Sequence, residues 1–189
     1  SCEIHMDGEL IRAEIKVPGQ HQVTNTLAAV RVAMLLDLDM EQMTRGIASV
    51  VPIAGRNRII QEGNFTLIDD CYNANPVSMK AALDLLSLAD TRKVAILGDM
   101  FELGENSDML HSGVGCYAKG KTDLLICIGE NAKHIYDGAK EAGVAHIYHF
   151  TDKESFLREK ENLLQAGDTI LLKASHGMAF ETLISQLLQ

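Results

Sequence analysis

Residues 93–128, KVAILGDMFELGENSDMLHSGVGCYAKGKTDLLICI, decide the fold of this 189-residue chain. They place two uninterrupted apolar runs, Val94–Leu97 and Leu124–Ile128, on either side of a helix-like stretch from Asp108 to Ala118. Apolar runs without alternation are typical of strands that are covered on both faces, as in a parallel sheet. A strand, a helix and a second strand in this order predict a β-α-β unit with a right-handed crossover.

The same alternation of strand and helix continues on both sides of this unit, from about residue 57 to the end of the chain. It predicts an α/β fold in which a doubly wound, mostly parallel sheet is covered by helices. The other strands are predicted at Asn57–Gln61, Phe65–Asp69, His146–Phe150 and Thr169–Leu172, and the other helices at Pro76–Leu88, Ala132–Ala142, Glu154–Leu164 and Ala179–Leu188.

The first 53 residues follow a different pattern, and we place a domain boundary between residues 53 and 54, where Pro52 and Gly55 interrupt the chain. The elements predicted before this boundary are a hairpin of Cys2–Met6 and Glu9–Val17 around the turn Asp7-Gly8, a helix from about Thr24 to Leu36, and a helix from Met40 to Val50.

The composition argues against several classes of function. Lys and Arg total 17 against 26 Asp and Glu, so the net charge of −9 makes nucleic acid or an anionic membrane surface an unexpected partner. Charges interrupt every apolar stretch before 18 residues, and the start SCEIHMDGEL lacks the features of a secretory leader. Four cysteines without a CxxC pair or zinc-ligand spacing predict reduced thiols in a cytoplasmic protein and no metal site.

Ligands of open α/β sheets bind in the loops that follow the carboxyl ends of the strands. Several of these loops are rich in glycine or in polar side chains, which makes them the candidate site. The loops are 70–75 (DCYNAN), 98–104 (GDMFELG), 129–131 (GEN) and 173–177 (KASHG).

Some polar residues in these loops have a sufficient structural explanation and others do not. Asn75 precedes Pro76 and is a helix cap on any interpretation. A capped turn does not explain Asp70 and Asn73, and Asp99 follows an apolar strand directly, so we favour a function for these three.

One motif match is misleading. Residues 115–122, GCYAKGKT, have the spelling of a phosphate-binding loop. Such a loop needs a strand before it and a helix after it, so that the amides at the start of the helix face the phosphate. Here the order is reversed, and Gly120 and Lys121 are better explained as the end of a helix.

Five strings in chain order resemble the Mur ligases of peptidoglycan synthesis, and the resemblance covers nearly the whole chain. The strings DCYNANP and LGDMxELG are typical of the members that use D-alanyl-D-alanine. The five are GQHQVTNTLAA (19–29), GR (55–56), DCYNANP (70–76), LGDMFELG (97–104) and KAS (173–175).

The resemblance implies an ATP-dependent ligase that adds D-alanyl-D-alanine to UDP-N-acetylmuramoyl-tripeptide through an acyl phosphate. It implies that residues 1–53 are the C-terminal part of a central ATP-binding domain and that residues 54–189 are a Rossmann-like C-terminal domain. The phosphate-binding loop and the Mg²⁺ ligands would then belong to the remainder of the chain, so we expect this segment alone to be inactive.

The resemblance also implies a role for each site residue, and His176 stands where the family commonly has Arg. The nucleotide side would comprise Asn25, Arg56, Asp70 and Tyr72, the catalytic centre Asn73 and Asn75, and the dipeptide side Asp99, Glu102, His111 and Ser175.

Two other interpretations stay open. The chain could be a nucleotide-binding module without catalytic activity, although the GxGxxG fingerprint of NAD and FAD domains is missing. It could also be a ligase similar to folylpolyglutamate synthase, against which the string Asn73-Ala-Asn-Pro76 argues.

Overall fold

Residues 2–188 are described by the computed structural model, and they divide into two units after Ile53. The first unit is an antiparallel hairpin followed by two helices, and its apolar side chains surround Ile4, Ile11 and Val30. Asp7 and Gly8 have φ angles of 50° and 85°, as the two-residue turn predicted between the strands requires. The elements are β1 (Cys2–Met6), β2 (Glu9–Ala13), α1 (Gln20–Leu35) and α2 (Met40–Ser49).

The helix α1 begins four residues earlier than the sequence predicts. Gly19 precedes it with a φ of 114°, and no side chain caps its first turn. Because helix starts are recognised from a Ser, Thr, Asp or Asn cap and from apolar spacing, this start carries no readable signal. By contrast, Asp39 caps α2 through a reciprocal pair of hydrogen bonds with Gln42, and this helix begins where it is predicted.

The second unit is built on one six-stranded sheet with the order β3-β4-β8-β5-β6-β7. Only the edge strand β3 runs antiparallel, so the mostly parallel α/β fold predicted from the sequence is confirmed. The strands are β3 (Arg58–Glu62), β4 (Phe65–Asp69), β5 (Lys93–Gly98), β6 (Leu124–Ile128), β7 (Ile147–Phe150) and β8 (Thr169–Lys173), and the helices are α3 (Pro76–Leu86), α4 (Ser107–Tyr117), α5 (Ala132–Ala142), α6 (Lys153–Leu163) and α7 (Glu181–Leu187).

The central strands are apolar throughout because helices cover both faces of the sheet. In β5, for example, Ala95 and Leu97 pack towards the face that carries α3, α4 and α5, whereas Val94 and Ile96 pack towards α6 and α7. All four side chains are fully buried. Alternate residues therefore serve two separate cores, which explains the absence of a polar position in the run.

The last strand determines where a ligand can bind. After β7 the chain returns across the sheet, and β8 enters between β4 and β5. The register pairs Asp69 with Leu172 and Leu97 with Lys173, so the carboxyl ends of the three strands lie side by side. The crossover helix after β4 and the helix after β8 cover opposite faces, so a crevice is expected at this switch of direction.

The segment that spells a phosphate-binding loop is a place of close helix packing. It begins within α4 and ends before β6, the order that the sequence predicts. A Cβ atom on Gly115 would overlap the carbonyl oxygen of Ile135 in α5. One on Gly138 of α5 would in turn overlap the backbone of Ser112, so both glycines are needed for the contact between the helices.

We predict opposite effects for two glycine substitutions in α4. Gly115→Ala should lower the free energy of unfolding by about 2 kcal/mol or more, because α4 and α5 must separate to admit the methyl group. Gly113→Ala should raise it by about 0.5–1 kcal/mol, because a Cβ atom there meets nothing within 4 Å and alanine favours the helix. Urea unfolding followed by circular dichroism checks both, and equal effects would contradict the packing role of Gly115.

Candidate functional site

Hydrogen bonds join the loops that follow β5 and β8. The backbone N–H of Ser175 donates to the carbonyl oxygen of Asp99 at 2.9 Å. The hydroxyl of Ser175 accepts from the backbone N–H of Phe101 at 2.8 Å, and the ring of Phe101 lies against Gly177, where a Cβ atom would come within 2.9 Å of it. Asp99 and Ser175, two of the predicted site residues, are therefore neighbours.

A buried ion pair joins the loop after β4 to the end of β8. The ammonium of Lys173 lies 2.6 Å from Oδ2 of Asp70 and also donates to the carbonyl oxygen of Asn73 at 2.9 Å. Only 2% of Lys173 is exposed. Oδ1 of Asp70 accepts from the backbone N–H of Asn57 at 3.3 Å. The predicted site residues Asp70 and Asn73 are thus fixed relative to β8.

A tight turn before β3 is attached to the same loop. Oδ2 of Asp69 accepts from the backbone N–H of Gly55 at 2.8 Å, and the N–H of Tyr72 donates to the carbonyl oxygen of Gly55 at 3.0 Å. Gly55 has a φ of 77°, and a Cβ atom there would lie 3.1 Å from the nitrogen of Tyr72. Glycine is therefore required, and the turn carries Arg56 to the edge of the sheet.

Three side chains form a stack on the surface of this edge. The guanidinium of Arg56 lies 4.1 Å above the ring centre of Tyr72, and the ring of His176 lies 5.8 Å from Tyr72 with a tilt of 38°. All three residues are exposed. The stack thus presents a cation and two flat rings to solvent, which suits a ligand with phosphate oxygens and a hydroxylated sugar.

The two predicted catalytic residues are exposed on the loop after β4. Oδ1 of Asn73 accepts from the backbone N–H of Ala74 at 2.8 Å. Oδ1 of Asn75 accepts from the N–H of Ser78 at 2.8 Å, and the Ser78 hydroxyl accepts from the N–H of Asn75 at 3.1 Å. Asn75 is therefore the helix cap that the sequence predicts, and one of its polar atoms is committed to that role.

Asp99 and His111 lie below the surface. One oxygen of Asp99 accepts from the N–H of Ala132 at 2.6 Å, at the start of α5. A Cβ atom on Gly129 would overlap this carboxylate, so the glycine permits its close approach. His111 is fully buried; its Nε2 accepts from the N–H of Met100 at 2.9 Å and its Nδ1 donates to the carbonyl oxygen of Ser107 at 2.8 Å. Both side chains hold the loop after β5 in place.

Glu102 differs from these two residues because it is exposed at the tip of that loop. Its φ of 62° is unusual for a residue other than glycine, and Gly104 follows with a φ of 65°. The left-handed conformation turns the chain sharply, and the hydrogen bonds of His111 and Ser175 at the base of the loop oppose its relaxation. Glu102 is thus a carboxylate presented on a constrained loop.

Asn25 lies in the first unit, on α1, where its amide donates to Oε1 of Gln22 at 3.2 Å. It is exposed, and its assignment to the nucleotide side stays a prediction.

Two residues that organise the site were not among the predicted ones. Lys173 ends a strand whose five positions are all buried, and a lysine in such a run signals an internal partner. Asp69 precedes the predicted Asp70, and only the structure shows that it is the one that holds the Gly55 turn. The role of Lys173 could have been predicted from the sequence, since a buried ammonium needs a carboxylate. The role of Asp69 could not.

Cys71 follows Asp69 and Asp70 directly in the chain and is not a nucleophile. Its burial, together with the charges of Asp69 and Asp70, raises the pKa of the thiol far above its usual value. The protonated Sγ lies 3.4 Å from the carbonyl oxygen of Leu172, to which it donates. The chemistry of this edge therefore depends on oxygen and nitrogen groups.

The chain resembles known proteins over most of its length. A family profile described as "Mur ligase, glutamate ligase domain" matches residues 55–176. The UDP-N-acetylmuramoyl-tripeptide–D-alanyl-D-alanine ligase of Bacillus subtilis is 31% identical over 180 residues, which are 93% of this chain and 39% of that protein. The chain thus spans about two fifths of the length of this curated relative.

Solved structures share the fold. A crystal structure of MurF from Acinetobacter baumannii superposes with a TM-score of 0.90 at 29% identity and covers 98% of this chain and 41% of its own. MurF from Thermotoga maritima in complex with ADP has a TM-score of 0.81 at 22% identity, over 98% of this chain and 42% of its own, and shows the same fold.

None of the helices in residues 2–188 combines the length and the hydropathy that a membrane crossing requires. Within the same range, no group of three or more His, Cys, Asp or Glu side chains is placed to hold a metal ion.

Removing one partner of the ion pair between Lys173 and Asp70 should lower the free energy of unfolding more than removing both. We predict that Lys173→Met lowers the free energy of unfolding by about 3–5 kcal/mol, because it leaves a buried carboxylate without its counter-charge. The double variant Lys173→Met/Asp70→Asn should recover part of this loss. Urea unfolding of the two variants checks the order, and a double variant less stable than the single one would contradict the pairing.

Proposed function

The chain belongs to the Mur ligase family, and we propose that it is the C-terminal part of a cytoplasmic, ATP-dependent ligase that adds D-alanyl-D-alanine to UDP-N-acetylmuramoyl-tripeptide. The ligase that is 31% identical over 93% of this chain supports this substrate pair. The proposal rests on one observation: hydrogen bonds join the loops after β4, β5 and β8 along one edge of the sheet. Residues predicted for the nucleotide side and for the dipeptide side lie on these loops.

The nucleotide side would lie at the stack and at Asp70. A guanidinium suits phosphate oxygens, and a carboxylate suits the hydroxyls of a ribose. Arg56 is exposed and has no ion-pair partner among residues 2–188, so it can bind an anionic group. Lys173 balances the charge of Asp70, which lowers the repulsion between that carboxylate and a nearby phosphate. Tyr72 would contact the sugar.

The acceptor side would lie between the loops after β5 and β8. The attacking dipeptide carries an ammonium group, and Glu102 offers an exposed carboxylate for it. Ser175 and Asp99 would contribute mainly through the backbone and hydroxyl groups that define the shape of this side. His111 would act from below, because its ring is buried and holds the loop that carries Glu102.

The reacting groups would meet near Asn73 and Asn75, on the loop between the two sides. Their amide groups can bind the oxygens of the activated carboxylate and orient it towards the amine. ATP, when bound, supplies the phosphoryl group that activates the carboxylate. The chain spans 39% of the length of its Bacillus subtilis relative, and we assign the Mg²⁺ ligands and the phosphate-binding loop to the remainder of the protein.

A non-enzymatic nucleotide-binding module is the second candidate. It would use the same stack and Asp70, but it would not need the constrained loop that carries Glu102. The similarity to D-alanyl-D-alanine ligases favours the enzyme over this module and over a folylpolyglutamate-type ligase. Ligase assays with D-alanyl-D-alanine and with glutamate as acceptors separate the three.

We predict that Asn73→Ala in the full-length protein lowers kcat by about a hundredfold, since it removes a group that orients the reacting carboxylate. The melting temperature should change little because Asn73 is exposed. Asn162→Ala, an exposed asparagine on α6, is the control and should keep full activity. Phosphate release in the presence of both substrates measures the effect. Normal growth of a depleted strain complemented with Asn73→Ala and with Asp70→Ala would contradict the assignment of this loop.

We also predict that the purified 189-residue chain neither hydrolyses ATP nor ligates the dipeptide. The physical reason is that the proposed phosphate-binding loop and Mg²⁺ ligands lie in the remainder of the protein. Arg56 can bind phosphate oxygens, but that loop and the metal would neutralise most of the transferred phosphoryl charge. A coupled assay for ADP tests this. Turnover above the buffer blank, abolished by Asp70→Ala, would place the catalytic centre within this chain and would overturn the proposed division of roles.

A further inference from the structure

Lys153, the first residue of α6, holds the loop after β8 from outside the site. Its ammonium donates to the carbonyl oxygens of Met178 and Ala179 and to the hydroxyl oxygen of Thr182, each at 3.0 Å. These acceptors are uncharged, and Lys153 has no carboxylate partner among residues 2–188. All three hydrogens of the ammonium thus bond to one short segment, residues 178–182: two to backbone carbonyls and one to a side-chain hydroxyl.

The backbone of this segment has an unfavourable conformation. Ala179 has a φ of 48°, which places it in the left-handed region that residues with a Cβ atom seldom adopt. It separates a single 3-10 turn, His176–Met178, from α7. The carbonyl oxygen of Ala179 also accepts from the hydroxyl of Thr182 at 2.7 Å. A positive charge at these carbonyls therefore stabilises a turn that the sequence by itself disfavours.

The other side of the same turn reaches the site. The N–H of Met178 donates to the carbonyl oxygen of Ser175 at 2.9 Å, and Ser175 bonds to Asp99 and Phe101 in the loop after β5. Gly177 packs against the ring of Phe101. A continuous series of contacts therefore connects the ammonium of Lys153 with the loop that carries Glu102.

We infer that Lys153 is a positioning residue for the acceptor side of the site, an inference that rests on the proposed function. It does not contact substrate; it fixes the turn after Ser175, and so sets the distance between the loops that would bind the dipeptide. Loss of its ammonium should weaken acceptor binding more than nucleotide binding, because His176 is the one member of the proposed nucleotide side that belongs to this turn. Arg56, Tyr72 and Asp70 lie outside it, and the contact of Asp70 with Lys173 does not involve it.

The chain offers a matched control on the same helix. Lys160, two turns further along α6, donates to the carbonyl oxygen of Gln186 at 2.6 Å, near the end of α7. It too joins α6 to the α7 segment, but its acceptor lies outside the turn, seven residues beyond Ala179. A general weakening of the packing between these segments would therefore follow from either lysine substitution, whereas a specific effect on the turn would follow only from Lys153.

The test compares Lys153→Met, Lys153→Arg and Lys160→Met in the full-length protein. We expect Lys153→Met to raise the KM for D-alanyl-D-alanine about tenfold, to leave the KM for ATP within about twofold, and to lower kcat by less than about threefold. Amide hydrogen exchange across residues 176–182 should become about tenfold faster. Lys153→Arg should restore both quantities to within about threefold of the wild type, and Lys160→Met should change neither.

Unchanged exchange across residues 176–182 in Lys153→Met, or an equal rise in both KM values, would overturn the inference. Equal effects of Lys153→Met and Lys160→Met would overturn it as well, because the effect would then be general. Failure of the proposed function has a different signature. If the wild-type protein does not ligate D-alanyl-D-alanine, the proposed activity is wrong, and the exchange measurement still decides whether Lys153 holds the turn.

Discussion

The buried ammonium of Lys173 determines how the edge of the sheet is built. Removing an ammonium from water is unfavourable by several kcal/mol unless acceptors surround it, so the chain around it must supply them. The carboxylate of Asp70 and the carbonyl oxygen of Asn73 do so, and both belong to the loop after β4, which is thereby bonded to the end of β8. The shape of that loop is thus tied to the pairing of β4 with β8.

The last strand along the chain, β8, therefore positions the loops on both of its sides. β8 enters between β4 and β5, and its end is bonded to the loops of both neighbours. Lys173, its last residue, fixes the loop after β4, and Ser175, two residues beyond it, fixes the loop after β5. The proposed nucleotide and acceptor sides are therefore aligned by residues that are two positions apart. The distance between the two sides can therefore vary only as far as the short segment from Lys173 to Ser175 can move.

Sequence reasoning located the elements wherever burial decides them. The strands Phe65–Asp69 and Leu124–Ile128 and the helix Ala132–Ala142 have the predicted bounds, because continuous apolar runs and helical spacing report directly on the two cores. It failed where tertiary contacts set the backbone: the last helix was predicted to start at Ala179, whereas this residue is left-handed and α7 begins at Glu181. No local preference of alanine indicates that conformation.

The predicted site residues divide into two layers, and spacing alone cannot separate them. Asp99 and His111 are buried and bonded to backbone groups, whereas Arg56, Tyr72 and Glu102 are exposed. The resemblance to the family identifies both sets equally, since a matching motif gives the place of a residue in the chain and not the direction of its side chain. The buried layer loses its conformational freedom when the protein folds, so a ligand need order only the exposed layer. A few exposed side chains can then bind a charged substrate at a small cost in conformational entropy.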